Sequence, residues 1–169
     1  MFAYCVYCQP QRCGQIARLL EVRGADRAIS PQVISRHRKQ GRMIEDQHDL
    51  LPGYVFIYME QKLKSYELFS GVSGIIRRVE NQFGFDGLGY EDYEFAMNLL
   101  QKDGTVGAIK AIKEGDTVRV LDPLFERFNG VIVAIDYRKQ RAKVRFRFDG
   151  QEWEIWVACD VVFKDEATS

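Results

Sequence analysis

Between Phe2 and Cys8 the chain is almost wholly aromatic, β-branched or small and apolar, which predicts a strand ended by Gln9-Pro10. From Gly14 to Val22 the apolar residues Ile16, Ala17, Leu19 and Leu20 recur at helical spacing, and Gly24 closes that helix. Ala28 to Arg36 predicts extended chain, with Pro31 inside it favouring a sheet edge. A charged turn is expected from His37 to Asp49, then a second strand from Gly53 to Met59. A short helix over Lys62 to Phe69 and a strand over Ile75 to Val79 follow, and Gly84, Gly87 and Gly89 mark a loop. Tyr90 to Leu100 predicts a helix with Tyr93, Ala96, Met97 and Leu100 on one face.

After residue 100 the rhythm changes. Residues 101–113, with Gly104, Gly107 and small side chains, are expected to form a linker. From Glu114 onward no helical period survives, and short strands are expected at Thr117–Leu121, Gly130–Asp136, Ala142–Phe148 and Glu152–Val157. The expected class is α+β: an antiparallel-sheet sandwich with helices over residues 1–100, and a small β-barrel over residues 114–165.

Composition narrows the function. At 46% hydrophobic residues the chain can bury a core. The 24 basic and 24 acidic residues cancel, which excludes a uniformly cationic nucleic-acid coat but not local patches. No apolar run approaches a membrane span, and the N-terminus lacks the charged start of a signal peptide, so a cytoplasmic location with reduced thiols is expected. Cys5-x-x-Cys8 has metal-ligand spacing, but strand alternation sends the two to opposite faces. Neither His37 nor His48 stands at a matching distance, so no metal and no cofactor are expected, and Cys5 reads as a small core residue. The Gly84-x-x-Gly87-x-Gly89 order is not that of a phosphate loop, and no Ser/His/Asp or paired-carboxylate arrangement suggests an enzyme.

Two segments carry more information. Leu50-Leu51-Pro52-Gly53-Tyr54-Val55-Phe56-Ile57-Tyr58 is a turn feeding a strand that is bulky on both faces, and a buried central strand is the plain reading. Gly115-Asp116-Thr117-Val118-Arg119-Val120, continuing through Pro123, Phe125, Phe128, Gly130 and Val131, is a tight turn and a strand whose Val118 and Val120 face a core, with Gly130 where a strand must bend. The first segment resembles the Pro-Gly-Tyr signature of the NusG/RfaH family of bacterial transcription elongation factors, and the second resembles the KOW motif. Tyr4-Cys5-Val6-Tyr7-Cys8 and Val72-Ser73-Gly74-Ile75-Ile76-Arg77 are similar to further parts of that family's N-terminal (NGN) domain, in the same order. The resemblance implies an NGN domain whose pocket, around Tyr4, Leu51, Pro52, Gly53, Tyr54 and Phe56, grips the clamp helices of the largest RNA polymerase subunit. It also implies a SH3-like KOW barrel marked by Gly115, Asp116, Val118, Phe125, Gly130 and Val131, with ribosomal protein S10 or Rho as further expected partners. Ala3 stands where the family commonly has Trp, and Cys13 where it has Glu; the first strand, with Tyr4, Tyr7, Cys5 and Cys8, is more similar to that of specialised paralogs.

Basic residues form two patches. In Arg138 to Phe148 alternation puts Arg141, Lys143, Arg145 and Arg147 on one face beside Arg138 and Lys139, with Ala142, Val144, Phe146 and Phe148 on the core face. Such a ladder is either a solvated strand or a surface for phosphates. LoaP-type paralogs bind an RNA hairpin through KOW, and the resemblance implies the same here. Arg36, Arg38 and Lys39 form the second patch, either a solvated loop or a contact to DNA beside the polymerase. A KOW-type RNA-binding protein of translation or ribosome assembly is the alternative.

Overall fold

The computed structural model describes residues 1–80, 87–126 and 131–164. In chain order the elements begin with β1 (Phe2–Cys8), α1 (Cys13–Val22), β2 (Arg27–Ile29), β3 (Gln32–Lys39), β4 (Arg42–Asp49), β5 (Tyr54–Met59), β6 (Ile75–Arg78) and α2 (Tyr90–Gln101). They continue with β7 (Thr105–Val106), β8 (Ile109–Glu114), β9 (Thr117–Val120), α3 (Pro123–Glu126), β10 (Val131–Asp136), β11 (Arg141–Phe148) and β12 (Gln151–Phe163). The chain is α+β and divides into two compact units, one of residues 1–31 and 51–104, the other of residues 32–50 and 105 onward.

The first unit is built on an antiparallel sheet ordered β2-β5-β1-β6. Its register sets Tyr4 opposite Ile57, Cys5 opposite Phe56, Val6 opposite Val55 and Tyr7 opposite Tyr54. One face packs Tyr4, Val6, Cys8, Val55 and Ile57 on Ile16, Ala17 and Leu20 of α1. The other face turns Phe56 towards Phe95 of α2, ring centres 6.2 Å apart, and the Tyr58 hydroxyl donates to Ala96 O at 2.6 Å. Cover on both faces explains why β5 is bulky at every position. Helix α1 ends in a Schellman arrangement, with Gly24 N–H on Glu21 O and Ala25 N–H on Leu20 O. Helix α2 ends the same way through Asp103 and Gly104. A Cβ on Gly104 would lie 2.6 Å from Ile29, so this glycine closes a helix inside a packed unit. The helix expected over Lys62–Phe69 is only a 3-10 turn, Glu67–Phe69, which suffices to seat Phe69 in the core.

In the second unit, the chain expected as extended to Arg36 and the charged turn expected from His37 to Asp49 together form a hairpin, β3–β4. Its Gln40-Gly41 turn has positive φ at both residues, as a type I′ turn requires. Cross-strand pairs offset its charge: Gln32 to Asp49 at 2.7 Å, His37 to Asp46 at 2.7 Å, and Arg36 to Glu45 at 3.7 Å. The short β7 adds to β3 in parallel. The remaining strands curl in the order β10-β11-β12-β8-β9, the arrangement of a small SH3-like barrel. All pairs are antiparallel except β12 with β8. Its core includes Ala142, Val144, Phe146 and Phe148, as alternation predicts, with Phe125 edge-on to Phe146 at 5.8 Å. Strand β12 runs on to Phe163, well past the expected Val157, because its second half pairs with β8. Strand β8 occupies much of the stretch expected as linker. Phe128, Gly130 and the Gly84 end of the expected loop lie outside the described residues.

Candidate functional site

The Pro-Gly-Tyr turn is locked by its own backbone. Tyr54 N–H donates to Leu51 O at 3.1 Å, with Pro52 and Gly53 at the corner and Gly53 at φ +96°, as a type II turn demands. Gly53 O accepts from Cys8 N–H at 2.6 Å, tying the turn to the end of β1. A Cβ on Gly53 would stand 2.6 Å from Tyr7 Cε2 and 3.0 Å from Cys8 O, so no other residue fits without a shift. The Tyr7 ring lies 5.1 Å from that of Tyr54, and the Arg77 guanidinium sits 5.5 Å from the Tyr7 ring centre.

The six residues expected around a pocket do not share one surface. Leu51, Tyr54 and Phe56 are buried, Tyr54 to 1% exposure, and Pro52 is exposed. Tyr4 lies on the opposite face of the sheet, in the α1 core, where its hydroxyl accepts from Leu63 N–H at 3.0 Å. The half-buried aromatic beside the turn is Tyr7, which the sequence reading left out. Its signal was present: Tyr7 has the parity of Cys5, opposite to that of Tyr4.

The cation ladder on β11 is not bare. The register puts Glu154 opposite Arg145, Glu152 opposite Arg147 and Trp156 opposite Lys143. Arg145 donates twice to Glu154, at 3.0 and 2.7 Å, and Lys143 Nζ lies 3.3 Å from the same carboxylate. Hydrogen bonds from Arg145, then from Lys143, hold the Glu154 carboxyl below its ordinary pKa. The guanidinium of Arg141 stacks on Trp156 at 4.3 Å, and its Nε is buried without a hydrogen-bond partner. Lys143 and Arg145, which alternation sets on one face with Arg141 and Arg147, are thus partly neutralised by an acid from the neighbouring strand.

The structure joins the two basic patches that look separate in sequence. Arg36 reaches from β3 to Asp160 Oδ1 at 2.8 Å, and Arg38 Nε donates to Arg138 O at 3.2 Å. Arg36 and Arg38 are therefore fixed beside Arg138, Lys139 and Arg141, while Lys39 is exposed near the hairpin turn. In the barrel motif, Gly115 at φ +59° and Asp116 form the two-residue link from Glu114 to Thr117. Val118 is half-buried, Phe125 is in the core, and Val131 is exposed.

The thiols are enclosed. Cys5, Cys8, Cys13 and Cys159 are all buried, and none is joined in a disulfide. Cys8 faces the α1 core, whereas Cys5, opposite Phe56, has the other parity. A hydrogen bond with Cys13, then burial, pushes the Cys8 thiol far up, and burial first raises Cys159 to about 11. Among the described residues no three Cys, His, Asp or Glu side chains gather as a metal site. No helix among them is long and apolar enough to cross a membrane.

Comparison with known proteins gives consistent relatives. Residues 3–86 match the family described as "Transcription termination factor nusG". The transcription termination/antitermination protein NusG of Buchnera aphidicola (subsp. Acyrthosiphon pisum) is 31% identical over 120 residues, 66% of this chain and 62% of that protein. The protein of the same name from Escherichia coli gives the same figures, 31% over 120 residues, 66% and 62%. The one from Rickettsia typhi is 26% identical over 129 residues, 76% of this chain and 67% of that protein. The chain thus spans about 62–67% of the length of these curated relatives. A solved structure described as domain interaction in Thermotoga maritima NusG covers 92% of each chain with a TM-score of 0.55 and 21% identity, a likeness of fold.

Proposed function

The chain belongs to the NusG family, and from that premise we propose that it is a specialised elongation and antitermination factor that anchors on RNA polymerase through its first unit. The observation that carries this reading is the locked Leu51–Tyr54 turn, which fixes Tyr7 and Pro52 at the surface. Such a rigid, partly exposed aromatic beside a proline suits the clamp helices of the polymerase, since a few aromatic anchors dominate most interfaces. In this reading Tyr54 does not touch the polymerase; it is the buried support against which Tyr7 leans. The test is binding of Tyr7→Ala to core RNA polymerase, by fluorescence anisotropy, beside a thermal melt. We expect a loss of about 2 kcal/mol if Tyr7 is an anchor. Wild-type affinity in a folded Tyr7→Ala protein rejects the assignment.

The second unit is proposed to carry RNA. The support is the cluster of Arg36, Arg38, Arg138, Lys139 and Arg141 on one unit, next to the β11 ladder. A role confined to translation or ribosome assembly would leave the first unit without a task. The work proposed here is mechanical and needs no cofactor: one unit holds the polymerase and the other holds a transcript segment.

A further inference from the structure

Beside the joined basic patches, the second unit contains a groove of about 290 Å³ whose lining includes Asp136, Tyr137, Gln140, Arg141, Asp160 and Phe163. Two features set it apart from a solvated surface. Tyr137 and Phe163 are 46% and 65% exposed, yet their rings lie side by side, with centroids 5.9 Å apart and planes tilted by 31°. Lys113 Nζ stands 5.3 Å from the first ring centre and 5.9 Å from the second. Arg141, which also lines the groove, lies against the Trp156 ring at 4.3 Å, and its Nε is buried without a hydrogen-bond partner, 3.9 Å from Asp136 Oδ2.

We propose that this groove binds single-stranded RNA, with a base stacked on the Tyr137–Phe163 pair and its flanking phosphates met by Lys113 and Arg141. The proposal rests on the reading that the second unit carries RNA, and it names where and in which form. Exposed aromatic faces beside fixed cations are what a single strand needs, since each base offers a π-face and each link a phosphate. The volume is at the low end of small-ligand pockets, roughly 300 Å³, which suits one nucleotide and not a helix. The Asp136 and Asp160 carboxylates are acceptors, suited to a ribose 2′-hydroxyl or a base amino group. They also disfavour the main competitor, an acidic peptide, which would bring carboxylates without rings or donors to match. Asp160 is held by Arg36, and Asp136 by the Lys139 N–H at 3.0 Å, so neither carboxylate is bare towards a phosphate.

The test uses the full chain with a fluorescein-labelled, unstructured 12-nucleotide RNA, its DNA counterpart and an RNA hairpin. Fluorescence anisotropy is read at several salt concentrations. The Tyr137→Ala/Phe163→Ala double variant should weaken single-strand RNA binding about tenfold or more. Its salt slope should not change, because stacking releases no counterion. Arg141→Gln should weaken binding and flatten the log–log slope by about 0.7, one phosphate contact. Both substitutions remove surface or half-buried groups, and a circular dichroism melt checks each fold. If the aromatic double variant binds the single strand as tightly as wild type, the groove assignment is overturned while RNA binding by the unit stands. If wild type binds the DNA strand as well as the RNA, the assignment to RNA is overturned. If wild type binds neither the single strand nor the hairpin, the RNA reading itself falls, and the groove with it.

Discussion

Gly53 illustrates how much of a signature is local geometry. Its φ of +96° and the 2.6 Å approach of Tyr7 would resist any side chain, so Gly53→Ala should destabilise the protein by about 2 kcal/mol in a urea melt. Tyr54 was legible in sequence both as part of the signature and as a position in a buried central strand; the structure follows the second reading, with Tyr54 in the core of a strand covered on both faces. Tyr54→Ala should therefore cost about 3–5 kcal/mol of folding stability, as large-to-small aromatic changes do. A polymerase-binding loss in that variant would be uninformative without a folding control. The Cys159 thiol gives a pH signature. Its pKa rises from 9.0 to about 11 in the folded chain, so the unfolded chain loses the proton first as pH rises. Its contribution to stability is complete below pH 9 and is lost as pH climbs from 9 towards about 11. Cys159→Ala should shrink the alkaline loss of stability over that window, measured by urea melts. Cys8, raised by its hydrogen bond with Cys13 and then by burial, and Tyr58, raised by burial, leave a residual slope.

At the scale of elements, alternation succeeded wherever one face was apolar and the other charged. Ala142, Val144, Phe146 and Phe148 went to the core of β11 without help from any neighbour. It failed in β4, expected as a turn, where charges fill both parities and no position is buried. A hairpin so polar is held by cross-strand pairs, which a single segment does not reveal. Arg36, ion-paired with both Asp160 and Glu45, ties the hairpin to β12. A double-mutant cycle of Arg36→Ala with Asp160→Ala should give a coupling of about 1 kcal/mol, because Asp160 is half-exposed and the pair is only partly shielded. Strand β8 was hidden for another reason. Ile109, Lys110 and Ala111 do alternate between buried and exposed, but Gly104 and Gly107 just before them look like linker. Since β8 pairs with the last five residues of β12, a fragment starting at Lys113 lacks most of a barrel strand. Its circular dichroism should still be β-type, but with a lower melting temperature than a fragment starting at Gly107. Equal melting temperatures would show that β8 is dispensable.

Over the whole molecule the balance of 24 basic and 24 acidic residues is not an average over separate patches; it is partly built pair by pair. The ladder shows the consequence. Its cations were legible from parity, while Glu152 and Glu154 were not assigned to it, because they sit on the next strand and only the register brings them opposite. Reversing Lys143 and Arg145 to Glu would crowd four carboxylates onto two strands and test repulsion instead of binding. Glu154→Gln is the cleaner probe. If RNA phosphates also reach this face, they must compete with Glu154 for Arg145 and Lys143, and each displaced pair costs affinity. Removing the carboxylate charge while keeping its shape frees both cations. Hairpin RNA should then bind more tightly to Glu154→Gln than to wild type, with a log–log salt slope steeper by about 0.7–0.9 for each phosphate newly met. The amide oxygen can still accept a hydrogen bond from Arg145, but a neutral one that a phosphate displaces more readily, so the strand register should hold and the melting temperature should change little, as expected for a surface pair. Unchanged affinity and slope in Glu154→Gln would mean that the β11 face stays solvated when RNA binds, and that any RNA contact of this unit lies elsewhere.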